Sequence, residues 1–222
     1  MTRLLRCLLS ATVALGVLAG CASKSVPKDF SLDPAKGEGM VVFSVSHDLE
    51  GGRGAKAIFY LNGGPTSKDG HYVLSLQDVM GVPTGSDFED AYGRLYALSL
   101  PAGHHAVTGW QITNGSGLRI SSRDIPTPLG FDLAPGEVKY IGNLHAVLAT
   151  GKNIFRVTIV GAGYPEVRDR RERDLPLFEE QFPRYQGKAT IGLLPQGPWV
   201  PKAGIARQLQ PPPPVVVPAA PK

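Results

Sequence analysis

The sequence predicts a mainly β chain, an antiparallel β-sandwich of about eight or nine strands with one C-terminal helix packed on it. Three observations carry that expectation. Short runs rich in Val, Ile, Tyr and Phe recur along the chain. Gly, Pro and Asn cluster between them at hairpin-like spacing. Only one stretch shows a sustained helical period.

The strands follow in order. Met40 to Val45 is β-branched and aromatic, and follows Gly37 and Gly39. Ala55 to Leu61 stops at the turn signal Asn62-Gly63-Gly64-Pro65. His71 to Leu76 is a third run. Gly93 to Leu100 alternates and ends at Pro101-Ala102-Gly103, after which Ala106, Thr108, Trp110 and Ile112 mark the next strand. Leu118 to Ile120, Phe131 to Leu133, Val138 to Leu148 and Ile154 to Val160 complete the set. Leu100-Pro101-Ala102-Gly103 is echoed by Leu133-Ala134-Pro135-Gly136, each leading into an alternating strand. Proline pre-sets φ and glycine admits positive φ, so each reads as a tight turn between antiparallel strands.

The helix is expected near residues 169–182. Asp169 and Glu172 have capping-box spacing, and Leu175, Phe178 and Phe182 form one apolar stripe. Pro176 is tolerated best if Asp174 is the N-cap, which places it in the first turn. Pro183 ends the helix. Its expected role is to cover a sheet face or edge.

Outside the domain the composition changes. Arg3 and Arg6 precede an apolar run of 12 residues, Cys7 to Leu18. That length suits a signal peptide and is too short for a bilayer span. The organisation that follows is a signal peptide at 1–20, a tether at 21–38, the sandwich at 39–194 and a proline-rich disordered tail at 195–222. The tail holds nine of the 20 prolines, including Pro211 to Pro214, which favours extended polyproline II. The formal charge is +4, and loss of Arg3 and Arg6 would leave +2, too little to point to nucleic acid.

Leu18-Ala19-Gly20-Cys21 resembles a bacterial lipobox. The resemblance implies cleavage after Gly20, flanked by Leu18 and Ala19, and a diacylglyceryl group with further palmitate-like acylation on Cys21. Two or more acyl chains hold a protein stably on a membrane. In that family an aspartate after the cysteine marks inner-membrane retention. Ala22 stands there, which points to the outer membrane, periplasmic side, with the inner membrane and the cell surface as alternatives. Cys7 would leave with the signal, so no cysteine remains for a disulfide or a thiolate site.

A second resemblance rests on Leu100-Pro101-Ala102-Gly103, on Gly136 to Leu144, and on Arg171-Glu172-Arg173-Asp174-Leu175. These look like uncharacterised proteobacterial lipoproteins with a transthyretin-like or carboxypeptidase-regulatory-like β-sandwich. The resemblance implies a fold and brings no catalytic residue.

Motifs for chemistry mostly fail. Thr158 to Gly163 imitates a strand entering a dinucleotide loop, but Glu166 occupies the third glycine position and Pro165 interrupts the helix entry. Asn114-Gly115-Ser116-Gly117 reads as a hairpin turn, not a nucleophile elbow. His47, His71, His104, His105 and His145 show no metal spacing, and His104 and His105 point to opposite faces of a strand. Trp110, Tyr92 and Tyr96 are expected in the core. Arg168, Arg170, Arg171 and Arg173, offset by Asp169, Glu172 and Asp174, read as a solvated helix face. No catalytic, cofactor or metal residue is assigned. The expectation is a membrane-anchored, non-enzymatic binding or scaffolding module, with an envelope protein or peptidoglycan as partner. The alternative is a small periplasmic hydrolase or metal-binding protein using histidines, for example His47 with Asp48.

Overall fold

The computed structural model describes residues 23–200 except 80–81, 115–118, 122–125, 153–155 and 157. Leu18, Ala19, Gly20 and Cys21 lie outside the described residues, as do Ile154, Leu118, the Gly115 to Gly117 turn and the tetraproline. In chain order the strands are β1 (Glu38–His47), β2 (Lys56–Leu61), β3 (His71–Leu74), β4 (Asp78–Val79), β5 (Val82–Pro83), β6 (Tyr92–Pro101) and β7 (Gly103–Thr113). They continue with β8 (Arg119–Ser121), β9 (Leu129–Leu133), β10 (Val138–Lys152) and β11 (Thr158–Arg168), then helix α1 (Arg171–Gln181), β12 (Ala189–Ile191) and β13 (Gly197–Pro198).

Two sheets form the expected sandwich. One has the order β13-β11-β10-β1-β6, with β12 also beside β10; the other has β3-β2-β7-β8, with β9 also beside β7. β4 and β5 pair as a separate short ribbon. Most pairs are antiparallel, but β1 runs parallel to β10, and β12 is parallel to β10 as well. The two echoed Pro/Gly turns account for this. Pro101-Ala102-Gly103 joins β6 to β7, and Ala134 to Gly136 joins β9 to β10. Each joins one sheet to the other, so neither is a hairpin within a sheet. Turn chemistry encodes a reversal, not whether the returning strand pairs alongside or crosses the core.

The main core lies between the sheets. Val41, Phe43 and Val45 of β1 meet Phe59 and Leu61 of β2, Val107 and Trp110 of β7, and Leu144 of β10. Alternation sends Met40 and Val42 to the opposite face, where they join Tyr140, Phe178, Phe182 and Tyr185 in a second cluster under α1. Fully burying a Phe or Leu stabilises the fold by roughly 1.5–3 kcal/mol, so each cluster is a substantial share of the whole. On that outer face β1 also carries two polar positions, Ser44 and Ser46, both fully buried.

A β-bulge sets which β10 residues meet them. Val42 pairs with Tyr140 and Ser44 with Asn143, so Ile141 and Gly142 together face Phe43. Gly142 has φ 110, a conformation natural to glycine. Beyond the bulge the phase is reset: Leu144 and Ala146 enter the main core, while Asn143 and His145 turn outward toward Ser44 and Ser46.

Three boundaries differ from the sequence reading. β11 carries on through Gly161, Gly163 and Pro165, where a strand ending at Val160 was expected. A Cβ on Gly163 would come 2.7 Å from Ile112 Cδ1 of the opposite sheet, so close packing selects glycine there. The stretch 21–38, expected as a tether, is docked from Ser23 onward. Ser23 N–H donates to Tyr72 O on β3 and Val26 N–H donates to Ala97 O on β6, so this segment clasps an edge strand of each sheet. Val26, Phe30 and Leu32 then pack on the cluster under α1. The expected tail contributes its first residues to the domain: β13 pairs with β11, and Trp199 is buried with Nε1 donating to Thr127 O at 2.8 Å. No helix among the described residues is long and apolar enough to cross a membrane.

Candidate functional site

The outer face of β1 and β10 carries a continuous polar row under α1. Asp174, near the start of α1, is fully buried. Its Oδ2 accepts from Ser44 Oγ at 2.5 Å and from Tyr140 OH at 2.8 Å, and its Oδ1 accepts from Arg173 Nε at 2.9 Å. Burial pushes the Asp174 carboxyl up from its ordinary value, against the pull of Arg173 and the two hydroxyls. Burial and the neighbouring carboxylate likewise push the Tyr140 hydroxyl up. Arg173 also donates to Asp90 at 2.9 Å and to Ser44 Oγ at 3.2 Å, and its guanidinium lies 3.7 Å from the Phe88 ring centroid.

The row continues along the strands. Asn143 Nδ2 donates to Ser44 Oγ at 2.8 Å and to Ser46 Oγ at 3.0 Å. Ser46 Oγ lies 2.8 Å from His145 Nδ1, and His145 Nε2 lies 2.9 Å from Asp48 Oδ1. Asp48 Oδ2 accepts from Leu148 N–H at 2.8 Å. Burial would raise the Asp48 carboxyl, but the His145 and Leu148 hydrogen bonds outweigh it and hold the group below its usual value. Burial lowers His145 despite the carboxylate beside it. The imidazole is therefore neutral near pH 7 beside an ionised Asp48. An ionised carboxylate only accepts, so Nε2 carries the proton and Nδ1 accepts from the Ser46 hydroxyl.

Ser46, His145 and Asp48 thus stand in the order of a serine-hydrolase triad. Two features separate them from a working one. The ring is reversed, with the serine on Nδ1 and the carboxylate on Nε2, the opposite of the chymotrypsin arrangement. Ser46 is fully buried with its oxygen also held by Asn143, so a substrate carbonyl has no approach to it.

The other histidines go elsewhere. His47, beside Asp48 in sequence, does not bond to it. It points into the sandwich, with Nδ1 2.8 Å from Ser75 Oγ and Nε2 3.1 Å from Gly52 O. Burial lowers it to about 4. His71, His104 and His105 come together at the opposite end of the sandwich, lining a cleft of about 620 Å³ with Asn62, Lys68 and Pro101. His105 is held by Asn62 at 3.0 Å and by Pro101 O at 2.7 Å, and exposed His104 meets Asp132 at 2.9 Å. Burial and the nearby His105 lower His71, whose Nδ1 lies 3.0 Å from Ser23 Oγ. Among the described residues no group of three or more His, Cys, Asp or Glu could hold a metal ion.

Trp110 and Tyr96 are core residues as expected, while Tyr92 is half-buried with its ring 5.5 Å from His47. Arg173, read as part of a solvated face, instead reaches inward. Arg171 pairs with Asp169 at 2.5 Å on the surface, and Arg168 with Glu166. Sequence reasoning missed the Ser44, Ser46 and Asn143 row. Its trace is the polar phase of Ser44-Val45-Ser46 in an otherwise apolar strand. The β10 partners were hidden by the bulge.

No protein-family model matches the chain, and no curated protein matches it. Among solved structures, a leucine-rich repeat protein from Bacteroides thetaiotaomicron aligns with 60% of this chain at 14% identity and a TM-score of 0.29. The aligned part spans 19% of that protein, and likeness at this level carries no argument.

Proposed function

We propose that the chain is an acylated lipoprotein of the bacterial envelope, anchored through Cys21, whose domain binds or scaffolds a partner and performs no catalysis. The observation that carries this reading is Leu18-Ala19-Gly20-Cys21 directly ahead of a folded domain that begins at Ser23. The burial of Ser46 and its engagement by Asn143 and by His145, which is itself held by Asp48, support the non-catalytic half. The proline-rich sequence beyond Val200 has a composition suited to capture of an envelope protein or peptidoglycan. The outer membrane is the proposed location, from Ala22 at the sorting position.

The test is expression in a bacterial envelope with intact-mass analysis, beside Cys21→Ala. The expected result is a diacylglyceryl mass on Cys21 and loss of membrane association in the variant. In-cell crosslinking then compares the full chain with one ending at Val200. A partner lost on truncation supports a tail-borne adaptor, and a partner kept supports binding by the domain. Absence of any crosslinked protein, together with no sedimentation on purified peptidoglycan, overturns the scaffold reading. A fluorophosphonate probe is expected to leave the folded domain unlabelled; labelling at Ser46 would establish the hydrolase alternative.

A further inference from the structure

The way the domain sits on a membrane depends on the proposed anchor at Cys21, and the orientation inferred for it rests on that reading. Ser23 is held twice on β3, by its N–H to Tyr72 O at 2.9 Å and by its hydroxyl to His71 Nδ1 at 3.0 Å. Three residues later Val26 N–H donates to Ala97 O at 2.9 Å, and Ala97 N–H donates to Ser25 Oγ at 3.1 Å. The chain from Cys21 to Ser23 spans two residues, at most ~7 Å when extended. A free 18-residue tether would instead give a root-mean-square span of roughly 23 Å and let the domain tumble.

We infer that the domain lies on the lipid headgroups through the end of the sandwich that holds Ser23, and that its cleft opens toward the bilayer. This end comprises the 62–70 loop, the start of β3 and the Pro101-Ala102-Gly103 corner, which together line the cleft with His71 and His104. Its exposed surface is polar, with Ser67, Lys68, Asp69 and His104. Lys24, exposed beside Ser23, adds a positive charge next to this end. Such a surface suits phosphate headgroups and not the hydrocarbon layer. The opposite end, at Glu50 and Lys152, is held away. β1 pairs Glu38 with Pro101 at the near end and His47 with Tyr92 at the far end, which sets the two about 30 Å apart.

Site-directed spin labelling tests this on the lipidated full chain in phosphatidylethanolamine/phosphatidylglycerol vesicles. With Cys7 removed and Cys21 in thioether linkage, an introduced cysteine is the sole free thiol. Ser67→Cys and His104→Cys are expected to lose at least half of their collisional access to an aqueous nickel chelate on reconstitution. Glu50→Cys and Lys152→Cys are expected to keep theirs. Equal access at all four positions, with the protein floating with the vesicles, overturns the orientation while leaving the anchor intact. Failure to float, with no acyl mass on Cys21, overturns the anchor and the orientation together. Eight Gly/Ser residues inserted between Ala22 and Ser23 are expected to restore access at Ser67 and His104. Shielding that survives the spacer overturns the short connection as its cause.

Discussion

At the scale of single residues, the outer face of β1 and β10 is governed by one rule. A buried polar group stabilises only when all its partners are present. Asp174 receives Ser44, Tyr140 and Arg173, so Asp174→Ala strands three donors at once. Breaking a buried charged group in this way costs about 3–5 kcal/mol, and urea unfolding is expected to show it as a lowered midpoint. A loss under about 1 kcal/mol would mean that α1 relaxes and water reaches the row. His47 gives the second prediction. Its folded value of about 4 lies below the ordinary 6.5, so the unfolded chain binds a proton there that the folded chain refuses. Its contribution is full above pH 6.5, falls as pH drops toward 4, and amounts to roughly 3 kcal/mol across that window. His145 and His71 are lowered too and act in the same sense. Asp48, held low, adds a further loss below its ordinary value of 3.8, whereas Asp174, held high, works against these. Thermal melts between pH 7 and pH 4 are expected to slope steeply, and His47→Gln to flatten the slope. An unchanged melting temperature down to pH 5 would contradict a neutral, buried His47. Little of this row is legible in the sequence. Adjacency pairs Asp48 with His47, but strand alternation sends the two to opposite sides, and the bulge at Gly142 supplies His145 instead.

At the scale of elements, most strands are legible because period-two alternation and turn residues report local geometry directly. The stretch Met40 to Val45 lies within β1, Gly93 to Leu100 within β6, and the helix expected near 169–182 is Arg171–Gln181. Its start differs from both expected caps. Arg170 holds the N-cap position, Asp169 accepts from Arg171 N–H at 3.2 Å, and Asp174 is drawn into the row. Pro176 stays inside the helix, where packing of Phe178 and Phe182 offsets its lost hydrogen bond. What local pattern cannot report is which strands become neighbours, and so the parallel β1–β10 pair is invisible to it. The clasping segment escapes for a related reason. Ser23 to Leu32 has few apolar residues and no period, yet it satisfies edges that belong to distant parts of the chain. A chain beginning at Asp33 would expose the backbone of β6 and the hydroxyl of Tyr185 that Leu32 N–H and Phe30 O now engage. It is expected to unfold at lower denaturant by about 2–4 kcal/mol and to self-associate through the bared edge. Sedimentation of the shortened chain as a monomer with native stability would show that the segment only rests on the domain.

At the scale of the whole molecule, both ends of the domain are structural, and this changes where the chain can be cut. Each sheet has edge strands that need cover, and the fold supplies it from its ends: residues 23–26 on β3 and β6, and residues 197–199 on β11. The C-terminal contribution is concentrated in Trp199. Its backbone N–H donates to Pro165 O at 2.9 Å, its indole N–H donates to Thr127 O, and its ring joins the main core. Proline at 165 has no N–H to offer, so its carbonyl is the group through which β11 can hold a further strand at that residue. Composition alone places the boundary at 195, because proline enrichment begins there and does not distinguish Pro198 in a paired strand from Pro211 to Pro214. The consequence is a sharp dependence on residues 197–200. A chain ending at Val200 is expected to melt with the full-length protein. A chain ending at Gln196 loses a buried tryptophan together with two hydrogen bonds and is expected to be less stable by about 3–5 kcal/mol. Calorimetry on both decides it: equal melting temperatures would place residues 197–200 outside the cooperative unit, whereas the expected gap makes Trp199 part of it and moves the end of the domain from 194 to the Trp199 contact.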